Sequence, residues 1–110
     1  MSQASEVSCE DVKNRLDRGE PFLFIDCREQ DEYDTAHIDM TKLLPMSQIA
    51  ERVGEIQAWK TEPVVVHCHK GVRSMRVANW LAAQGFEQVQ SLAGGIDAWS
   101  TEVDPAVPRY

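Results

Sequence analysis

Two short apolar runs, each behind a proline, set the pattern of this chain. Phe22-Leu23-Phe24-Ile25 follows Pro21, and Val64-Val65-Val66 follows Pro63. Neither run alternates with polar residues. A continuous apolar run of this length predicts a strand buried on both faces, as a parallel sheet requires. Elsewhere the apolar residues recur at helical spacing. Ile49, Val53 and Ile56 predict a helix over residues 47–58. Val77, Ala78, Leu81 and Ala82 share one face of a helix over 74–84, with Gly85 as its stop. Ser8 reads as an N-cap with Asp11 three residues on, opening a helix to about Asp17 that Gly19 ends. Further short strands are expected around Val7, over 42–44 and over 87–92. The polar stretch 27–36 reads as a loop with a helical turn at 29–33. Gly94-Gly95 is a turn, 96–99 opens a last helical turn or two, and Pro105 and Pro108 mark an extended tail. Strands alternating with helices predict an α/β domain, with a central, mostly parallel sheet flanked by helices. A ligand site is then expected at the carboxyl ends of the strands.

Composition narrows the picture. One hundred and ten residues, 43% apolar and 26% charged, are expected to form a single domain over 1–110, with a core of about 5–103 and a tail over 104–110. There is no apolar run of the ~20 residues that a membrane span needs. The polar N-terminus has no signal-like segment, so a cytoplasmic setting is expected. Eighteen acids against eleven bases give a formal charge of -7, which argues against nucleic acid or anionic membrane as partner. The charge is uneven: residues 1–34 hold ten acids and four bases, whereas Lys60, Lys70, Arg73 and Arg76 stand against Glu62 alone in 60–80. An acidic chain with one cationic segment suggests an anion site. Three cysteines, Cys9, Cys27 and Cys68, are a poor disulfide framework.

The cationic segment contains His67-Cys68-His69-Lys70-Gly71-Val72-Arg73-Ser74, between a buried strand and a helix start. Cys68 is thus expected at the carboxyl end of a strand. A tight loop there turns the N–H groups of residues 69–74 toward the sulfur as an anion nest. The helix dipole and the charges of Lys70 and Arg73 add to it, and Gly71 gives the loop a left-handed or close-packed position. The N–H nest, the helix dipole and the two cations are expected to favour thiolate over thiol. The competing readings are a buried structural cysteine, a metal site using His67, Cys68 and His69, and a phosphatase loop. Against metal, neighbours on a strand end point different ways and no paired ligand spacing supports them. Against a phosphatase, Arg73 lies five residues after Cys68, so the loop has six members where tyrosine phosphatases have seven. A shorter loop suits a single sulfur atom better than a phosphoryl group.

These residues resemble those of the rhodanese family of sulfurtransferases. The family's active loop, Cys-x-x-Gly-x-Arg/Thr-Ser/Ala, is matched by Cys68, Gly71, Arg73 and Ser74. Asp26-Cys27-Arg28 with Glu32-Tyr33 resembles its Asp-x-Arg-x-x-x-Glu-Tyr/Phe segment. Ala36-His37-Ile38, Leu44-Pro45, Gly85-Phe86 and Leu92-x-Gly94-Gly95-Ile96-x-x-Trp99 resemble further signposts in the same order. Cys27 stands where the family usually has valine, and Met40-Thr41 replaces its usual Gly-Ala. The resemblance implies a nucleophilic Cys68 that takes a sulfane sulfur from thiosulfate or a protein persulfide. It passes that sulfur to cyanide, a thiol or a sulfur-carrier protein. A cysteine desulfurase is a further partner of this kind, and no metal or organic cofactor is implied. His69, Lys70, Gly71, Val72, Arg73 and Ser74 become the substrate-binding loop. Asp26 and Arg28 either brace it or form a surface ion pair. Cys27 is either a resolving thiol or a small core residue, and His37 is read as structural. The end of the chain, Val103 to Tyr110, resembles tails of rhodanese domains fused to adenylyltransferases. The alternative implied by the same family is a non-catalytic rhodanese-like binding module.

Overall fold

The computed structural model describes residues 4–110. Five parallel strands form one sheet in the order β1-β5-β4-β2-β3. They are β1 (Ser5–Val7), β2 (Leu23–Asp26), β3 (Lys42–Leu43), β4 (Pro63–His67) and β5 (Gln88–Leu92). The helices are α1 (Cys9–Asp17), α2 (Gln30–Thr35), α3 (Ile49–Arg52), α4 (Val72–Ala83) and α5 (Gly95–Glu102). The strand expected around Val7 is present; residues 1–3, at the start of that stretch, lie outside the described residues. The chain is α/β as expected, with every strand pair parallel.

β2 and β4, the two proline-led apolar runs, pair side by side with Phe24 opposite Val65 and Asp26 opposite His67. Alternation along each strand divides the core in two. Ile25, Cys27, Val64, Val66 and Cys68 pack with Ile49 and Ile56 and with Val77 and Leu81 of α4. Phe24, Val65 and Leu92 pack on the other face with Val12 of α1 and with Ile96 and Trp99 of α5. Covering both faces is what makes a continuous apolar strand stable.

Local rules explain most boundaries. The Ser8 side chain accepts the Asp11 N–H at 3.1 Å and caps α1. At the end of α4 the N–H groups of Gly85 and Phe86 return to the carbonyls of Ala82 and Leu81. Four expectations need correction. Only residues 49–52 of the helix expected over 47–58 are α-helical; Val53–Trp59 is a 3-10 helix. Val53, Ile56 and Trp59 are spaced by three, the repeat of that helix, and all three pack on the core. The helical turn expected at 29–33 is present but longer, a six-residue helix started by a reciprocal capping box between Glu29 and Glu32. α4 begins at Val72 rather than Ser74. Residues 104–110 are not simply extended. The Asp104 N–H bonds the Trp99 carbonyl at 2.9 Å, Val107 is buried, and Arg109 pairs with Asp97 at 2.9 and 3.2 Å. Among the described residues no helix is long and apolar enough to cross a membrane.

Candidate active site

Cys68 follows the last residue of β4, the central strand. Its neighbours across the sheet are the end of β2, where Asp26, Cys27 and Arg28 stand, and the turn from β5 into α5. Gly71 has φ +105° and caps α4. This left-handed turn, open to glycine and costly for other residues, brings its N–H to 3.0 Å from Cys68 Sγ. The thiol donates to Ser74 Oγ at 3.4 Å, and Ser74 Oγ lies 2.7 Å from Ser91 Oγ on β5. The wide ring of N–H donors expected from residues 69–74 therefore contacts Sγ through Gly71. Cys68 is 1% exposed, so its sulfur is buried beneath the loop.

The other loop residues divide into exposed and tied ones. Lys70 and Val72 are exposed. Arg73, expected to lend free charge, instead lies in the first turn of α4 with its guanidinium on Glu32 at 2.6 and 2.8 Å. That pairing raises the Arg73 pKa, with a smaller contribution from nearby Cys68, and lowers Glu32 to about 2. Arg73 thus closes the loop onto α2, its charge paired with that of Glu32. The carbonyls of Cys68 and His69 accept the N–H groups of Ile96 and Asp97 at 2.9 and 3.1 Å. These bonds require the start of α5 to press against the loop. A Cβ on Gly95, which has φ +58°, would stand 2.4 Å from the Cys68 carbonyl oxygen and 2.6 Å from that of His69.

Asp26 and Arg28 are both completely buried, which overturns the surface-pair alternative. Arg28 uses all five guanidinium donors. Nε and Nη2 bond Asp26 at 3.0 and 2.7 Å, and Nη2 also bonds the Ala36 carbonyl at 2.7 Å. Nη1 bonds the Tyr110 hydroxyl at 3.0 Å and the Glu32 carbonyl at 3.4 Å. Burial opposes the charge of Arg28, but the bonds to Asp26 and Tyr110 outweigh it and the net shift is upward. A fully satisfied buried guanidinium is costly to disturb, because removing one partner leaves an orphaned charge or donor. His67 is completely buried beside this pair, its Nε2 3.6 Å from Asp26 Oδ2. Burial lowers its pKa to about 4, so it is neutral at pH 7.

Cys27 extends the β2–β4 register by one residue, so it lies beside Cys68 on the same face. Its N–H bonds the His67 carbonyl at 3.0 Å. Burial and the proximity of Cys68 push its thiol pKa strongly upward. Cys9 is also buried, and burial raises it to about 11. His37 packs at 4.2 Å on the Tyr33 ring and bonds the Tyr33 carbonyl, which fits a structural residue. Among the described residues no group of three or more His, Cys, Asp or Glu side chains could hold a metal ion.

Sequence reasoning singled out neither Glu32 as a partner of Arg73 nor Ser91 and Tyr110 as site residues. Glu32 carried a usable signal, the capping-box spacing to Glu29. Ser91 and Tyr110 reach the site only through the fold.

A site at the carboxyl end of a central parallel strand, with a cysteine under a glycine-capped helix start, defines a class that the comparisons identify. The family model for the rhodanese-like domain matches residues 8–102, and the chain belongs to that family. The thiosulfate sulfurtransferase GlpE of Coxiella burnetii is 40% identical over 78 residues, covering 71% of each chain. The adenylyltransferase and sulfurtransferase MOCS3-1 of Zea mays is 30% identical over 115 residues, covering 100% of this chain and 25% of the relative. The chain spans about a quarter of the length of this and similar curated relatives. Among solved structures, a rhodanese-like domain protein from Staphylococcus aureus superposes with a TM-score of 0.82 at 27% identity, covering 96% of this chain and 98% of the other.

Proposed function

We propose that this chain is a sulfurtransferase that carries a sulfane sulfur on Cys68. Membership of the rhodanese-like family, with relatives named sulfurtransferase or sulfur carrier, supports sulfur transfer in general. The observation that carries the assignment to Cys68 is the Gly71 N–H on its Sγ, at the mouth of the central strand. The Cys68 thiolate attacks the outer sulfur of thiosulfate. A new S–S bond forms, the bond to the sulfonate sulfur breaks, and sulfite leaves with the electron pair. The Gly71 N–H steadies the anionic sulfur. An acceptor nucleophile then attacks the outer sulfur of the Cys68 persulfide and returns the thiolate. Cyanide becomes thiocyanate; a thiol becomes a persulfide. Exposed Lys70 draws the thiosulfate dianion toward the loop. A cysteine desulfurase persulfide as donor and a sulfur-carrier protein as acceptor fit the same chemistry, in a reducing compartment such as the cytoplasm.

The test is intact-protein mass spectrometry after thiosulfate treatment, with thiocyanate formation measured in parallel. One added sulfur on Cys68, absent in Cys68→Ser, supports the reading. The same sample should turn over aryl phosphates negligibly. A six-member loop lacks a donor for one phosphoryl oxygen, and each such donor contributes about 3 kcal/mol to transition-state stabilisation, about a hundredfold in rate. The second reading, a non-catalytic binding module, is favoured by the 1% exposure of Cys68. It stands if folded protein takes no sulfur from thiosulfate or from a small persulfide.

A further inference from the structure

Residues 104–110 bring Tyr110 to the loop that follows Cys68. The Tyr110 ring stacks on the His69 ring at 4.0 Å and 11° between planes. Its hydroxyl accepts from Arg28 Nη1 at 3.0 Å and donates to Glu32 Oε2 at 2.8 Å. Glu32 is the carboxylate that holds Arg73. One side chain therefore touches both ends of the loop: His69 directly, and Arg73 through Glu32. His69 Nε2 is buried without a hydrogen-bond partner, so hydrogen bonding at that nitrogen does not hold the ring. The segment is anchored independently of Tyr110. Val107 is buried, the Ser100 hydroxyl donates to the Val107 carbonyl, and Arg109 pairs with Asp97. Asp97 is also the residue whose N–H holds the His69 carbonyl. Loop and segment thus register on the same turn of α5.

We propose that Tyr110 is a positioning residue for the sulfur-transfer site, holding the 69–73 loop in the conformation that places the Gly71 N–H on Cys68. The proposal rests on the sulfurtransferase reading above. The ring and the hydroxyl have separable duties. The ring fixes His69, one residue after the sulfur. The hydroxyl completes the donor set of Arg28 and adds a fourth donor to the Glu32 carboxylate, alongside Arg73 and the Glu29 N–H. Loss of the ring frees the loop to leave the competent conformation, and catalytic efficiency falls in proportion to the competent fraction.

The experiment compares the full chain with Tyr110→Phe, which keeps the stack, and Tyr110→Leu, which keeps an apolar residue without it. Hydrogen exchange at the Gly71 amide and the NMR shifts of the His69 ring protons report the loop without any substrate. In Tyr110→Leu the His69 signals should lose their ring-current shift. Gly71 exchange should rise and kcat/KM for thiosulfate fall, each about fivefold, the scale of one aromatic pair. Tyr110→Phe should restore the His69 shift and most of the activity. In a His69→Ala background, Tyr110→Leu should change kcat/KM less than about twofold. A role in general stability alone predicts additive losses instead, and that result would overturn the proposal. Unchanged Gly71 exchange in folded Tyr110→Leu would overturn it as well. If the unmodified chain takes no sulfur from thiosulfate, the sulfurtransferase reading fails, while the exchange and NMR readouts still decide whether Tyr110 orders the loop.

Discussion

Glu32 grips Arg73 through both carboxylate oxygens, at 2.6 and 2.8 Å, and so ties α2 to the first turn of α4. The cation of the loop motif is therefore a structural clasp before it is a charge for substrate. Glu32→Gln and Arg73→Ala should impair sulfur transfer to similar extents, and the double variant should be little worse than Arg73→Ala. Both donors, thiosulfate and a small persulfide, should suffer. Lys70→Ala should impair thiosulfate selectively, because its charge acts on a free dianion. Steady-state kinetics with the two donors check this; full additivity of the Glu32 and Arg73 effects would refute the clasp.

Gly95 sits against the carbonyls of Cys68 and His69. Gly95→Ala places a methyl group 2.4 Å from backbone oxygen at a left-handed φ, and neither neighbour is a flexible side-chain end. The loop must move. A stability loss of about 2–3 kcal/mol is expected from overpacking and backbone strain, together with loss of most sulfur transfer. Gly54 is the control, since nothing lies within 4 Å of its added Cβ. Gly54→Ala should leave activity intact and stability equal or up to about 1 kcal/mol higher by urea denaturation.

The three cysteines should separate cleanly. Cys68→Ser should abolish persulfide formation. Cys9→Ser and Cys27→Ser should retain most of it, because burial keeps both thiols protonated at neutral pH. Cys27→Val, which keeps the position apolar, guards against a simple folding defect. Persulfide loading followed by mass spectrometry reads the outcome. A folded Cys27→Val that fails to turn over would require Cys27 in the reaction.

Met40 has φ +68° and is 67% exposed, at a position where the family usually has glycine. A bulky residue in the left-handed region costs about 1–2 kcal/mol, partly offset because glycine loses more entropy on folding. Met40→Gly should therefore raise stability by about 0.5–1 kcal/mol, seen as a higher urea midpoint with an unchanged slope. A lower midpoint would show that the Met40 side chain makes contacts worth more than the strain.

Acid should weaken the fold in two stages. The pKa of His67 is lowered to about 4 by burial, so its contribution is complete above the unfolded value of 6.5 and declines as pH falls toward 4. Between pH 7 and 5 the loss is about 2 kcal/mol. The pKa of Glu32 is lowered to about 2 chiefly by Arg73, so its contribution is complete above 4.5 and declines as pH falls through 2. Denaturation curves at stepped pH check the order. His67→Gln should flatten the upper stage and leave the lower one; an unchanged slope between pH 7 and 5 would rule His67 out as its source.

The sequence by itself determined the buried strands, several helix caps and the strand-to-helix loop that carries Cys68. Phe24, Ile25 and the three valines at 64–66 can be stable only when covered on both faces, and Ser8, Gly19 and Gly85 act within one helical turn of their own positions. The order of Cys68, Gly71 and Arg73 after a buried strand specified the loop, because its geometry is local. The tertiary structure alone decided what touches that loop. The bidentate partner of Arg73 lies 41 residues away, Ser91 meets Ser74 from 17 away, and Tyr110 reaches Arg28 across 82 positions. No periodicity encodes such contacts. The burial of Asp26 and Arg28 was equally invisible, since charged residues are rarely buried unless paired. Whether every guanidinium donor finds a partner depends on Glu32 and Ala36 of the α2 segment and on Tyr110 from the end of the chain arriving at the same place. Hydrogen bonding at short range made the loop legible, and long-range packing decided how it is held.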